Sequence, residues 1–142
     1  MTVVFDFDGS LALARSLWSV ADELDGVRAT REASAAEALV GWQGVYGDQF
    51  VTRVDHEQVS ARVVAEQLRG EANGWAEEWR KAIDQVNRDR YAAAVRSVEA
   101  DRGFWDDVGG FFFGHNDLPS EPSPAATPTP PGFAATRGFA NY

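Results

Sequence analysis

The sequence predicts an all-α fold, an antiparallel helical hairpin made of two long helices joined at a tight Trp-x-Gly turn. Three observations lead there. Apolar residues recur at steps of four and three on both sides of the chain's middle, the spacing that lines one face of a helix. Between the two runs stands Gly41-Trp42-Gln43-Gly44, where glycines let the backbone leave one helix and enter the next. All six prolines lie between Pro119 and Pro131, so nothing before them carries the strongest helix breaker.

Met1 to Phe7 is mostly apolar and runs into the alternating Phe5-Asp6-Phe7-Asp8, which fits a strand or an extended lead-in. Asp8-Gly9-Ser10 then offers N-cap chemistry. From there Leu13, Leu17, Val20, Leu24 and Val27 recur at steps of 4, 3, 4 and 3, an a/d seam. Helix 1 is expected over 9–39. Gly26 weakens it by roughly 1 kcal/mol relative to alanine without breaking the pattern. In the corner, Trp42 is expected to fold back and cap the apolar seam, with Gly44 opening the turn. Helix 2 is expected over 45–101, its stripe carrying Phe50, Val54, Ala61, Val64, Leu68, Ala72, Trp75, Trp79, Ile83 and Val86. Gly70 and Gly74 mark its middle as the place for a kink or a close helix approach. So long a helix outruns helix 1, and its far half, with Trp75 and Trp79, needs either that bend or another chain to cover it.

A two-helix hairpin has no closed core, and the common remedy is a second hairpin that completes a four-helix bundle. The surface expected to meet that partner comprises Leu13, Leu17, Val20 and Leu24 on helix 1, and Phe50, Leu68, Trp75 and Trp79 on helix 2. The division is a hairpin domain over 1–102, an aromatic-rich acidic segment over 103–118, and a Pro-rich tail over 119–142. The segment holds Phe104, Trp105, Phe111, Phe112 and Phe113, and serves either as a fold-back or as an aromatic docking patch. The tail reads as extended and disordered.

The net charge is −9, which argues against nucleic acid and anionic lipid as partners. No cysteine is present, so there is no disulfide framework and no thiolate metal site. No apolar run is long enough to span a bilayer. The opening residues lack a basic stretch followed by an apolar one, so a general secretory signal is not expected.

One stretch resembles a catalytic motif. Val3-Val4-Phe5-Asp6-Phe7-Asp8-Gly9-Ser10-Leu11 is similar to the first motif of the haloacid dehalogenase-like phosphatases. That resemblance implies Asp6 as nucleophile, Asp8 as general acid/base and a magnesium ion joining carboxylates to phosphate. It also implies a sheet behind the motif, whereas residues 11–101 carry helical period. The competing expectation is that Asp6 and Asp8 sit at the positive end of helix 1. His56-Glu57 lacks the second histidine of a zinc-protease helix, and no phosphate loop is present. No catalytic, cofactor or metal-binding residue is assigned.

With the corner and both helices in view, residues 9–101 resemble the WXG100-like proteins of type VII secretion, through Trp42-Gln43-Gly44 and the flanking helices. The resemblance implies a small hairpin that pairs as a homo- or heterodimer. Such a protein is exported folded by a membrane ATPase complex or escorts a larger partner, often a toxin. It implies a non-catalytic interaction protein made in the cytoplasm and then secreted or held at the cell envelope. The family's export address, Tyr-x-x-x-Asp/Glu, is incomplete here, because Tyr91-Ala92-Ala93-Ala94-Val95 has valine in place of the acid. That departure fits a subunit whose partner supplies the signal.

Overall fold

Asp6 opens the first helix. The computed structural model describes residues 4–107 and 118–142. Helix α1 spans Phe7–Ala38, with Asp6 as N-cap and Asp8 in the first turn. The Asp6 carboxylate accepts from the Gly9 N–H at 2.8 Å, which satisfies one of the orphan donors of a helix start. Its carbonyl accepts from Ser10 N at 3.0 Å, and the buried Ser10 hydroxyl donates to Phe7 O at 3.0 Å. A Cβ at position 9 would stand 2.1 Å from Asp6 Oδ2, so glycine is what lets the carboxylate fold over the helix end. The capping acid is therefore Asp6 rather than Asp8, and the helix begins two residues before the expected position 9. Residues 4–6 form no regular element, and Met1–Val3 lie outside the described residues.

A 3₁₀ turn, Leu39–Gly41, follows, and then Trp42, Gln43 and Gly44 lead into helix α2, Val45–Asp107. Gly44 has φ +95°, a left-handed value that favours glycine, and its carbonyl accepts from Asp48 N at 3.1 Å. Gly47, buried in the first turn of α2, lies so near the corner that an added Cβ would meet Trp42 O at 3.1 Å. The conformational demand falls on Gly44 and Gly47 rather than on Gly41. Helix α2 runs unbroken through Gly70 and Gly74. Among the described residues there is no strand.

Two compact units emerge, Met1–Glu77 with Pro128–Ala134, and Glu78–Thr127 with Ala135–Tyr142. In the first, α1 packs antiparallel against the start of α2, as the expected hairpin requires. Cross-links run in reverse order along the two helices. Arg31 pairs with Glu57 at 2.6 Å, Arg28 exchanges bonds with Gln58 at 3.2 and 3.1 Å, and Arg69 reaches Asp22 and Asp25 at 2.7 and 2.6 Å. The buried line between the helices is made chiefly of alanine: Ala14 and Ala21 on α1, Ala65, Ala72 and Ala76 on α2, with Leu11 near the start. Side chains this small let two backbones approach at the short end of the usual interhelical range. The seam thus differs from the expected leucine–valine line, because the large apolar residues stand beside it rather than in it.

The tail departs further from expectation. Residues 118–142 form no regular element apart from a short turn near Pro130–Phe133, and prolines exclude a helix from much of the stretch, yet they are held rather than loose. In the first unit Phe133 is 0% exposed, its ring edge-on to Trp18 at a centroid distance of 5.8 Å. Phe133 has φ +43°, and its N–H donates to Thr129 O at 2.9 Å, closing the turn. In the second unit Ala125 N donates to Asp84 at 2.7 Å, and Asn87 bonds Gly138 and Ala140. A few buried anchors hold a segment whose composition alone reads as disordered. The aromatic patch expected over 103–118 falls outside the described residues, apart from the last helical turn of α2.

Candidate functional site

The alanine seam divides the hairpin of the first unit into two flanks. On α1, Trp18 and Leu24 lie on opposite sides of the Ala14–Ala21 line, as their positions at about 100° per residue require. On α2, Arg69 and Val64 lie on opposite sides of the Ala65–Ala72 line by the same geometry. The Trp18–Arg69 flank is covered: the Arg69 guanidinium stands 5.5 Å over the Trp18 ring, and Phe133 packs against that ring. The Leu24–Val64 flank is open. There Leu13, Val20 and Val27 on α1 and Val64 and Trp75 on α2 are exposed, Val20 to 50%, while Leu17, Leu24 and Leu68 are half-buried at the edge of the seam. Toward the corner this flank deepens into a groove of about 1010 Å³ with Leu24, Val45, Ala61 and Val64 among its lining. Arg31, Arg53 and His56 border it together with Asp48 and Glu57, so its rim carries both signs of charge.

Of the residues read from sequence as partner-facing, Leu13, Leu17, Val20, Leu24, Leu68 and Trp75 occur on this one flank at helical spacing. Two do not behave as expected. Trp79 belongs to the second unit and is only 3% exposed within the chain itself, so no partner is needed to cover it. Phe50 is half-buried, its ring edge-on to Trp42 at 5.5 Å. Trp42 itself is 53% exposed. The indole leans on Phe50 and does not plug the seam, because Gly47 brings the first turn of α2 up against the corner's backbone and the seam closes without it. Val40, Trp42, Val45 and Tyr46 are all exposed, leaving an apolar tip at the corner. Sequence reasoning missed Val27 as a surface residue and missed Val40 and Tyr46 altogether. Their signal was available as bulky apolar side chains within a few residues of a turn.

An ion cluster of Arg69 with Asp22 and Asp25 spans the seam. Hydrogen bonds from Arg69 and then Arg28 hold the Asp25 carboxyl below its ordinary value. The same contacts, with Asp22 first and Asp25 second, push Arg69 further up.

Asp6 and Asp8 show what the phosphatase motif becomes here. Asp6 caps a helix, Asp8 sits in that helix's first turn, and no strand precedes either among the described residues. Among the described residues no three His, Asp or Glu side chains converge as a metal site requires. No described helix is long and apolar enough to cross a membrane.

Comparison with family models, curated proteins and solved structures found no match.

Proposed function

We propose that this chain is a non-catalytic interaction protein that works by helix pairing, its open flank completed by a second helical hairpin in a four-helix bundle. We further propose that it serves type VII secretion, as an exported substrate or as the targeting partner of a larger protein such as a toxin. The observation that carries the pairing is the apolar stripe of the uncovered flank: Phe133 of the tail packs on the other flank, and Leu13, Val20, Val27, Val64 and Trp75 stay exposed on this one. Burying a Leu, Val or Trp side chain that is about half exposed contributes on the order of 1 kcal/mol each. Association costs roughly 4–15 kcal/mol in lost freedom. The stripe alone is therefore marginal, and a stable pair needs the exposed tip at Val40, Trp42 and Tyr46 as well.

The secretion part rests on the resemblance of the Trp42-Gln43-Gly44 corner, which does join two antiparallel helices, with glycine in the left-handed conformation at its end. The missing acid after Tyr91 supports a partner-dependent passage. On this reading the protein is made in the cytoplasm and leaves by the type VII route or rests at the cell envelope.

Light scattering on the purified chain, alone and co-purified from its host, tests the pairing. A complex with a second helical hairpin, its own copy or another, is expected, and Val20→Glu should abolish it while leaving helicity intact. A monomer in both preparations sinks the proposal. Loss of type VII function in the host, followed by unchanged localisation of this protein, sinks the secretion half alone.

A further inference from the structure

The second unit contains a binding arrangement that helix pairing does not use. Asn87 on α2 is 4% exposed. Its carboxamide accepts from Ala140 N at 2.9 Å and donates to Gly138 O at 3.1 Å. In an extended chain these two groups lie on one edge, two residues apart, so a single side chain does what a neighbouring strand does in β-augmentation. One turn further along the helix, Arg90 donates to Ala140 O at 3.2 Å and its guanidinium stands 4.7 Å over the Phe139 ring. Beside it the Tyr91 and Tyr142 rings are 5.9 Å apart. One turn earlier, Asp84 accepts from Ala125 N at 2.7 Å. These hydrogen bonds go to main chain, and side-chain selection comes from two aromatics. A cavity of about 420 Å³, lined by Asp84, Arg88 and Tyr91 together with Glu121–Pro124, stays open within this unit.

We propose that the Asp84–Tyr91 face of α2 is a binding site for an extended peptide, filled here by the chain's own Gly138–Tyr142. A second extended segment of the same chemistry can take its place: a small residue, an aromatic, a small residue with a free N–H, and an aromatic two positions on. Main-chain recognition tolerates many sequences but excludes proline at the position of Ala140, which must donate to Asn87. The resident segment competes from a tether at an effective concentration of roughly millimolar. An outside peptide therefore enters when the tether is weakened. This proposal does not depend on the secretion reading.

The test uses a labelled peptide of residues 135–142 and the full chain carrying Phe139→Ala, Ala140→Pro and Tyr142→Ala, which remove both aromatics and the N–H that Asn87 accepts from, and so vacate the site while keeping Asn87. Saturable binding is expected, at least tenfold weaker to the unaltered chain and at least tenfold weaker when Asn87→Ala is added. A peptide with Ala140→Pro should not bind; it leaves the protein unchanged and so decides the matter even where Asn87→Ala disturbs the helix. Slow amide exchange at Ala140 in the unaltered chain is expected from occupancy in cis. No binding to the vacated chain, or equal binding of the proline peptide, overturns the proposal. Fast exchange at Ala140 overturns the resident-segment half of it.

Discussion

Helix α2 is covered in two different ways along its length. In the first unit a second helix lies against it, and the buried line of the contact is made chiefly of alanine, with the polar cross-links of Arg28, Arg31 and Arg69 at its margins. In the second unit an extended segment lies against it, and the contact is made by Asp84, Asn87 and Arg90 reaching for main-chain groups. A helix satisfies its own backbone, so a helical neighbour asks only for shape. An extended strand brings unpaired N–H and C=O groups, so whatever covers it must supply hydrogen bonds. The polar residues at Asp84 and Asn87 are what that second kind of contact requires.

The largest expected effect comes from the tail's apolar anchor. Phe133→Ala should destabilise the chain by about 3–5 kcal/mol, the range for a fully buried aromatic, read as a lower denaturation midpoint. A change under about 1 kcal/mol would mean that the tail does not dock on Trp18 in solution. Next is the seam: Ala72→Leu should cost about 1–3 kcal/mol by overpacking, whereas the same change at a loosely packed interface would be neutral or stabilising. Trp42→Ala should cost less than about 1 kcal/mol in the isolated chain, since exposed positions tolerate truncation. It should weaken pairing with the partner, measured by light scattering, and the reverse pattern would put the indole back in the core.

The smallest effect is acid sensitivity. The Asp25 carboxyl titrates below its ordinary 3.8 in the folded chain, so its contribution is complete above that value. It fades as pH falls through the lowered folded value. Asp25→Asn should remove that part of the acid dependence, and an unchanged acid limb would show the cluster to be slack in solution.

Much of this was legible from the residues. The three-four spacing from Leu13 to Val27, its resumption after Phe50 and the glycine-bounded corner are local signals, and local signals build helices. The identity of the seam was not legible. Periodicity weighs Leu13, Leu17 and Val20 by hydrophobicity, while close helix approach selects Ala14 and Ala21 by size, one step around the helix. The docking of the tail was hidden for another reason. Prolines announce an extended backbone, but its anchors, Phe133 and Phe139, are single aromatics without period, and their receiving surfaces lie far away in sequence. Leu13, Val20 and Trp75 stand exposed because bulky side chains that miss the seam have nowhere else to go.

A ladder of alanines has one further consequence. Methyl groups are too alike to tell one rung from the next, so shape says little about how far one rod has slid past the other. Near the corner the hinge at Gly44 sets the alignment; some twenty residues away, roughly 30 Å along the axis, that task passes to the grip of Arg69 on Asp22 and Asp25. Ionic strength, which loosens the more exposed Asp22 arm of that grip before the half-buried Asp25 arm, then acts on the vernier of the molecule more than on its strength.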